Sequence, residues 1–150
     1  MSIESKQIGR KALSSQSFLK WGNTILKMSP AERIEMVRGG VKVAIMVEAG
    51  QYYGISQARL SKLLGISDAT ITRKIKAGGK LGPMESERLA RIASVEAEAE
   101  KVFDSSELAR RWMLEPNLAL GEAPLSFLDT DTGADEVRKV LAAIAYGGVA

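Results

Sequence analysis

Apolar residues recur at intervals of three and four along most of the chain, which is the spacing of amphipathic helices. No stretch alternates apolar and polar residues for long enough to predict a β-strand. Ser29-Pro30 marks one helix start, Gly39-Gly40 marks a break or a close helix crossing, and Asp131 or Thr132 would cap the last helix. The pattern predicts a mostly or wholly helical fold, with helices near residues 18–28, 30–50, 57–64, 67–77, 83–103, 104–116 and 132–146 and a short helical turn near 124–128.

The centre of the chain contains two short helical patterns joined by one glycine. The first, Gln57–Leu64, has three leucines on its inner face. Gly65 stands where this helix must end, in a backbone conformation that favours glycine. Ser67 can cap the second helix through its hydroxyl, and Ile71 and Ile75 give that helix an apolar stripe at a spacing of four. This arrangement predicts a helix-turn-helix.

The outer face of the second helix carries short side chains and cations, with no bulky apolar group. Such a surface suits a recognition helix, because small side chains let it enter the major groove and cations contact phosphates. We expect Thr70, Thr72 and Arg73 to lie near base edges, and Arg59, Lys76 and Lys80 to contact phosphates. Ser67 and Ala69 are the remaining two candidate DNA contacts.

Charge is distributed unevenly along the chain. Residues 56–92 hold eight cations and three anions, a net charge of +5, whereas residues 93–150 hold five cations and eleven anions, a net charge of −6. This is the layout expected of a DNA-binding module joined to a module that does not bind DNA. An ordinary helical hairpin with a solvated basic face remains the alternative explanation of the central pattern.

Residue usage argues against several classes of protein. The 150 residues include no cysteine and no histidine, which removes disulfides, thiol nucleophiles and the commonest general base and metal ligand. No apolar run could span a membrane, and residues 1–11 do not resemble a signal peptide. The glycines of residues 78–82 follow a basic helix rather than a strand, so they are not a dinucleotide-binding motif. We expect a cytoplasmic protein that is not an enzyme and needs no metal or cofactor.

Composition also predicts how the chain is divided. Residues 1–16 are rich in Ser, Lys and Gln and would form a mobile arm, which is either disordered or in contact with DNA through its basic residues. Residues 17–92 would form the helix-turn-helix domain. Residues 93–150 would supply a connecting helix with an acidic second half and a C-terminal domain.

The C-terminal residues carry a specific set of motifs within SSELARRWMLEPNLALGEAPLSFLDTDTGADEVRKVLAAIAYGGVA. This string resembles the toxin-binding domain of the Xre/MbcA/ParS antitoxins, the partners of RES-domain toxins. The family's helix-turn-helix precedes this block, as it does here, so the resemblance covers about residues 55–150. The matching residues are Ala109, Trp112, Pro116-Asn117, Ala119-Leu120-Gly121, Pro124-Leu125, Leu128-Asp129-Thr130, Gly133, Val137, Leu141, Tyr146-Gly147 and Ala150.

The resemblance implies an all-α protein with a Cro-like helix-turn-helix DNA-binding domain followed by a small helical C-terminal toxin-binding domain. It further implies a type II antitoxin that inhibits a RES-domain, NAD-degrading toxin and represses its own operon. The partners would be the RES-domain toxin, operator DNA and a second copy of the chain, within a larger toxin-antitoxin complex. The candidate toxin contacts are Trp112, Asn117, Leu120, Tyr146, Gly147, Gly148, Val149 and Ala150.

Two other readings fit the same helix-turn-helix. One is a stand-alone, dimeric transcriptional regulator whose C-terminal half only dimerises. The other is a protein-interaction module with a vestigial helix-turn-helix. A neighbouring toxin gene or copurification with a toxin would favour the antitoxin, and DNA binding measured at several salt concentrations would exclude the vestigial module.

Overall fold

The computed structural model describes residues 17–147, and the predicted N-terminal arm and the last three residues lie outside this range. The described residues form eight α-helices and one 3₁₀-helix, with no strand beyond an isolated bridge. The elements are α1 (17–27), α2 (Pro30–Gly39), α3 (Val43–Tyr53), α4 (Gln57–Leu64), α5 (Asp68–Ala77), α6 (Pro83–Phe103), α7 (Ser106–Leu114), the 3₁₀-helix (Pro124–Phe127) and α8 (Asp131–Ala145). The prediction of an all-α fold is therefore confirmed.

The 21-residue helix α6 is the centre of the fold. It packs against α2 and α4 on the helix-turn-helix side and against α7 and α8 on the C-terminal side. Its apolar side chains, among them Leu89, Ile92 and Val95, belong to one continuous core that reaches both halves of the described chain. Even Glu96, in the part of the helix predicted to be an acidic connector, is fully buried. The helix that was expected to connect two modules is thus a core element shared by both.

The predicted helix over residues 30–50 is two helices, and Gly39-Gly40, expected to mark a break or a close helix crossing, marks the break. Ser29 and Glu32 form the expected capping box at its start, with the Glu32 amide donating to the Ser29 hydroxyl at 3.2 Å. The chain then breaks after Gly39, and an extended segment pairs with the residues that follow α5. Gly50 does not end α3, since the helix continues to Tyr53. The physical reason is packing, because Tyr52 and Tyr53 in the last turn are buried, and Gly54, with φ +64°, ends the helix instead.

The last helix begins one residue earlier than predicted. Thr130 is its cap, and its hydroxyl accepts a hydrogen bond from the Gly133 amide at 2.9 Å. Asp131 and Thr132, the expected caps, lie inside the first turn. A methyl group on Gly133 would lie 1.9 Å from the Phe127 carbonyl oxygen, so only glycine allows this close approach. No helix among residues 17–147 is long and apolar enough to cross a membrane.

Candidate nucleic-acid and partner interfaces

The turn between α4 and α5 is fixed by the chemistry that the sequence predicted. Gly65 has φ +70°, and the Arg88 guanidinium occupies the place where a side chain would stand. That guanidinium donates to the Leu64 carbonyl oxygen at 3.1 Å, which satisfies a carbonyl at the end of α4. The Ser67 hydroxyl accepts from the Thr70 amide at 3.1 Å and caps α5. The helix-turn-helix geometry is therefore held from both sides of the turn.

The predicted reading face of α5 lies at the surface. Ala69, Thr72, Arg73 and Lys76 are exposed, and neither of these two cations forms an ion pair within residues 17–147. Thr70 is half-buried, and its hydroxyl accepts a hydrogen bond from Ser67 at 2.9 Å. After Asp68 in the first turn, the exposed polar side chains of the helix are therefore Thr72, Arg73 and Lys76.

The apolar stripe predicted for α5 is only half buried. Ile71 is completely inaccessible, but Ile75, one turn later, is 44% exposed. It lies at the rim of an apolar groove of about 340 Å³ between α3, α4 and α5, where α5 extends past the core. Of the two isoleucines in the predicted stripe, the first is therefore in the core and the second is exposed.

Gln57, at the start of α4, is a functional candidate that the sequence reasoning missed. Its side-chain amide donates to the Thr72 hydroxyl at 2.9 Å and to the Asp68 carbonyl oxygen at 3.2 Å. These bonds fix the side chain of Thr72 on the exposed face of α5. The position of Gln57 in the sequence could have indicated this role. In a helix-turn-helix, the first residue of the first helix, here α4, lies beside the start of the second helix, here α5.

Lys80 lies beside a second cation. Lys42 and Lys80 face each other in an isolated antiparallel bridge, which the Leu81 amide closes by donating to the Val41 carbonyl oxygen at 2.8 Å. Both lysines are exposed. Lys42 was assigned to the interior of a helix, so it was not a candidate. The chain break after Gly39 brings it to Lys80, and together they form a basic site suited to a phosphate.

Arg59, the remaining DNA candidate, faces elsewhere. It is half-buried and lines a cleft together with residues that follow α7. Helix geometry puts Arg59 about 200° around α4 from Gln57, on the flank away from the contact with α5. The structure therefore brings seven of the eight candidates to α5 and its two ends, and separates the eighth from them.

The candidate toxin contacts differ in how far they are exposed, and the first to be described are Trp112 and the residues that follow α8. Trp112 is half-buried and packs on Phe103 with a ring separation of 5.7 Å, beside a groove of about 240 Å³ that the exposed Leu108 also lines. Tyr146, just after α8, is 91% exposed. Gly147 is exposed as well, and Gly148, Val149 and Ala150 lie outside the described residues.

Asn117 and Leu120 form a closed loop after α7. The buried Asn117 side chain accepts from the amides of Ala119 and Leu120 at 2.9 and 3.2 Å, and the Gly121 amide donates to the Asn117 carbonyl oxygen at 2.8 Å. Leu120 packs partly against the core, whereas Leu118, between them, is fully exposed. The loop therefore exposes Leu118 to solvent more than the predicted contacts Asn117 and Leu120. This difference depends on three-dimensional packing and could not be read from the sequence.

A buried carboxyl links the two halves of the molecule. Glu96 of α6 accepts hydrogen bonds from the hydroxyls of Tyr52 and Tyr53 of α3, at 2.5 and 2.7 Å. Burial raises the pKa of Glu96 to about 7, although the bonds from the two tyrosines act to lower it. The described residues contain no cluster of three or more acidic side chains arranged to hold a metal ion. Glu96 is fully buried and its carboxyl bonds to side chains of the core.

A basic helix-turn-helix shares its core with a small C-terminal helical module, and this arrangement defines a helix-turn-helix protein with a second helical domain. Residues 32–94 match the model of the antitoxin Xre-like helix-turn-helix domain, and residues 98–147 match that of the antitoxin Xre/MbcA/ParS C-terminal toxin-binding domain. Neither is a family of enzymes. The chain belongs to the Xre/MbcA/ParS family of antitoxins, and it is an antitoxin of the Xre type with a helix-turn-helix domain.

Individual relatives support this assignment. The chain is 31% identical over 124 residues to "Antitoxin Xre" of Yersinia enterocolitica, an alignment that covers 79% of this chain and 84% of the relative. It is 29% identical over 110 residues to "Antitoxin Xre" of Photorhabdus laumondii, covering 72% and 74%. It is also 26% identical over 136 residues to the "Prs ADP-ribosylating antitoxin" of a Sphingobium strain, covering 84% and 86%.

Proposed function

We propose that this antitoxin binds and inhibits a RES-domain toxin that degrades NAD, and that it represses its own operon through the helix-turn-helix. The family assignment supplies the class of partner, a toxin, and the resemblance of the C-terminal string supplies its RES type. The name of the Sphingobium relative refers to ADP-ribosylation, a reaction that uses NAD as its donor. The toxin would therefore carry the NAD chemistry, and the antitoxin would act by binding.

The proposal that this antitoxin binds DNA rests on the surface of α5. Its outer face presents Thr72, Arg73 and Lys76 to solvent, and Gln57 holds Thr72 in place. Lys42 and Lys80 add a basic site near the end of the same helix. A recognition helix requires side chains that contact base edges, with cations on either side of them that contact phosphates.

We further propose that the antitoxin acts as a homodimer. One helix-turn-helix reads few base pairs, and two related by symmetry read half-sites about one helical turn apart. The exposed groove on α6 and α7 offers a second copy the apolar side chains of Phe103, Leu108 and Trp112, beside the charged pair Arg111 and Glu115. The molecular mass in solution at micromolar concentration tests this point, and a strictly monomeric mass contradicts it.

The function is tested by coexpressing the chain with the RES-domain toxin encoded beside it. Inhibition predicts that cells grow and keep their NAD with the antitoxin, and lose both without it. Autorepression predicts binding of the purified antitoxin to its own upstream DNA and not to unrelated DNA of equal length. Unrestrained NAD loss during coexpression would contradict toxin inhibition, and DNA binding that persists in that case would favour a stand-alone regulator.

A further inference from the structure

A polar cleft of about 340 Å³ lies between α4 and the segment that follows α7. One wall belongs to the helix-turn-helix match and the other to the match with the toxin-binding domain. The described residues that line it are, on α4, Arg59, Lys62 and Leu63, and on the opposite wall, Glu122, Ser126 and Asp129. Two cations of the helix-turn-helix domain therefore face two carboxylates of the C-terminal domain across the cleft.

Helix α6 fixes both walls. Arg88 donates to the Leu64 carbonyl oxygen at 3.1 Å and so holds the end of α4. Arg91, nearly one turn further along α6, donates to the Leu128 carbonyl oxygen at 3.1 Å and pairs with Asp131 at 2.8 Å. The Arg91 side chain is only 6% exposed. Because the two walls are tied to one rigid helix, the cleft is a preformed feature rather than a gap between mobile segments.

The charged groups of the cleft are free to bind a partner. Within residues 17–147, none of the four charged side chains forms an ion pair within 4.0 Å. Lys62, Glu122 and Asp129 are exposed, and Leu63, which also lines the cleft, belongs to the buried core. Opposite charges held apart on fixed walls complement a protein segment that carries charges of both signs.

The cations of this cleft point away from the recognition helix. Gln57 contacts α5, and Arg59 and Lys62 lie about 200° and about 140° around α4 from it. They turn instead toward residues 122–129, which belong to the toxin-binding match at residues 98–147. Continuity with that domain makes the toxin a better occupant of the cleft than DNA.

We propose that the toxin interface extends through this cleft onto the helix-turn-helix, with Arg59 and Lys62 contacting carboxylates of the toxin and Glu122 and Asp129 contacting its cations. The inference rests on the proposed function, since it presupposes a toxin partner. It differs from the sequence-based assignment, which placed Arg59 on DNA and confined the toxin contacts to the C-terminal residues. A toxin seated here lies against the motif that reads DNA.

The test compares three double variants of the full chain, each of which replaces two charged side chains by neutral amides. Arg59→Gln with Lys62→Gln removes the cations of the cleft, and Glu122→Gln with Asp129→Asn removes its carboxylates. Arg73→Gln with Lys76→Gln is the matched control, because it removes the same charge from the exposed face of α5. Affinities for the toxin and for the upstream DNA are measured for each at two salt concentrations.

Each cleft variant is expected to weaken toxin binding about tenfold or more at low salt, with a smaller loss at high salt. The control is expected to lose DNA affinity and to keep toxin affinity within about twofold of wild type. The proposal is overturned if the Arg59/Lys62 variant binds the toxin as wild type does, or if its loss falls on DNA alone. Failure of the wild-type chain to bind any toxin would instead overturn the proposed function and this inference with it.

Discussion

The hydroxyl of Tyr53 donates a 2.7 Å hydrogen bond to the carboxyl of Glu96, and both groups are shielded from solvent. This bond joins α3, in front of the helix-turn-helix, to the middle of α6. Arg110 adds a further tie from α7 by donating to the Tyr52 carbonyl oxygen at 2.7 Å. A polar cluster inside the core thus connects the helix-turn-helix half with the C-terminal half, and it contains a titratable group, the carboxyl of Glu96.

Stability is expected to depend on pH through Glu96. Burial raises its pKa from 4.5 to about 7 in the folded protein, so between these pH values the folded state binds more protons than the unfolded state. The free energy of unfolding should therefore fall as pH rises through this window, by on the order of 3 kcal/mol for a shift of this size. Glu48, whose pKa burial also raises, acts in the same direction.

The measurement is urea unfolding at pH 5, 6, 7 and 8 for the wild type and Glu96→Gln. The glutamine cannot ionise, so most of the fall with pH should disappear. Glu136→Gln, at an exposed position of α8, is the control and should keep the wild-type slope. An unchanged slope in Glu96→Gln would show that this carboxyl does not titrate in the window.

Arg73 and Lys76 should differ in how they affect DNA binding. Replacing Arg73 by Ala is expected to cost about 1–3 kcal/mol on the operator if the guanidinium reads a guanine, and much less on unrelated DNA. Replacing Lys76 by Ala should weaken binding to all sequences alike and reduce the salt dependence by about one phosphate contact. If the Arg73→Ala, Lys76→Ala double variant bound the operator as tightly as the wild type, neither residue would belong to the DNA interface.

Local chemistry explains why the helix-turn-helix could be predicted from sequence. The Gly65 stop and the Ser67 cap each act within one turn, so the chain itself carries the signal. The burial of Glu96 could not be predicted in this way, because its partners are 43 and 44 residues away. The position of Arg59 is similar, since the acidic wall that faces it comes from a segment about sixty residues later.

Gln57 is expected to act as a positioning residue for Thr72. Gln57→Ala removes the 2.9 Å bond to the Thr72 hydroxyl at an exposed site, so DNA affinity should fall several-fold while the unfolding free energy changes by less than about 0.5 kcal/mol. Gln51→Ala, at an exposed position of α3, is the matched control. If a Thr72→Val variant lost the same affinity and the double variant lost no more, the two residues would be shown to act together.

Gly133 should be among the least replaceable glycines. An alanine there would bring its methyl group to 1.9 Å from the Phe127 carbonyl oxygen, which is backbone and cannot turn aside. The variant is expected to lose about 1–3 kcal/mol of stability through displacement of α8 from the 3₁₀-helix. Gly39→Ala is the control, since its methyl group would meet nothing within 4 Å at the end of α2 and should be neutral or slightly stabilising. Thermal unfolding of the two variants decides the point.

The tail after α8 is expected to contribute more to inhibition than to affinity. Tyr146 is 91% exposed and Gly147 follows with φ +81°, so neither of these two residues packs against the core. Residues 146–150 carry no charged side chain and no bulky one after the tyrosine, a composition that suits entry into a narrow cleft. The acidic balance of residues 93–150 would favour approach to a basic, NAD-binding site.

Deleting residues 146–150 separates the two contributions. If the tail occludes the toxin's active site, the truncated antitoxin still forms the complex, more weakly, while NAD degradation returns. Tyr146→Ser is the companion variant, because it keeps the length of the tail and removes its only large side chain. Intermediate inhibition by this variant would assign part of the effect to the ring. Complete inhibition by the truncated chain, at concentrations where the complex is saturated, would exclude the tail and leave the folded surface, with the cleft at Arg59 and Lys62, as the inhibitory element.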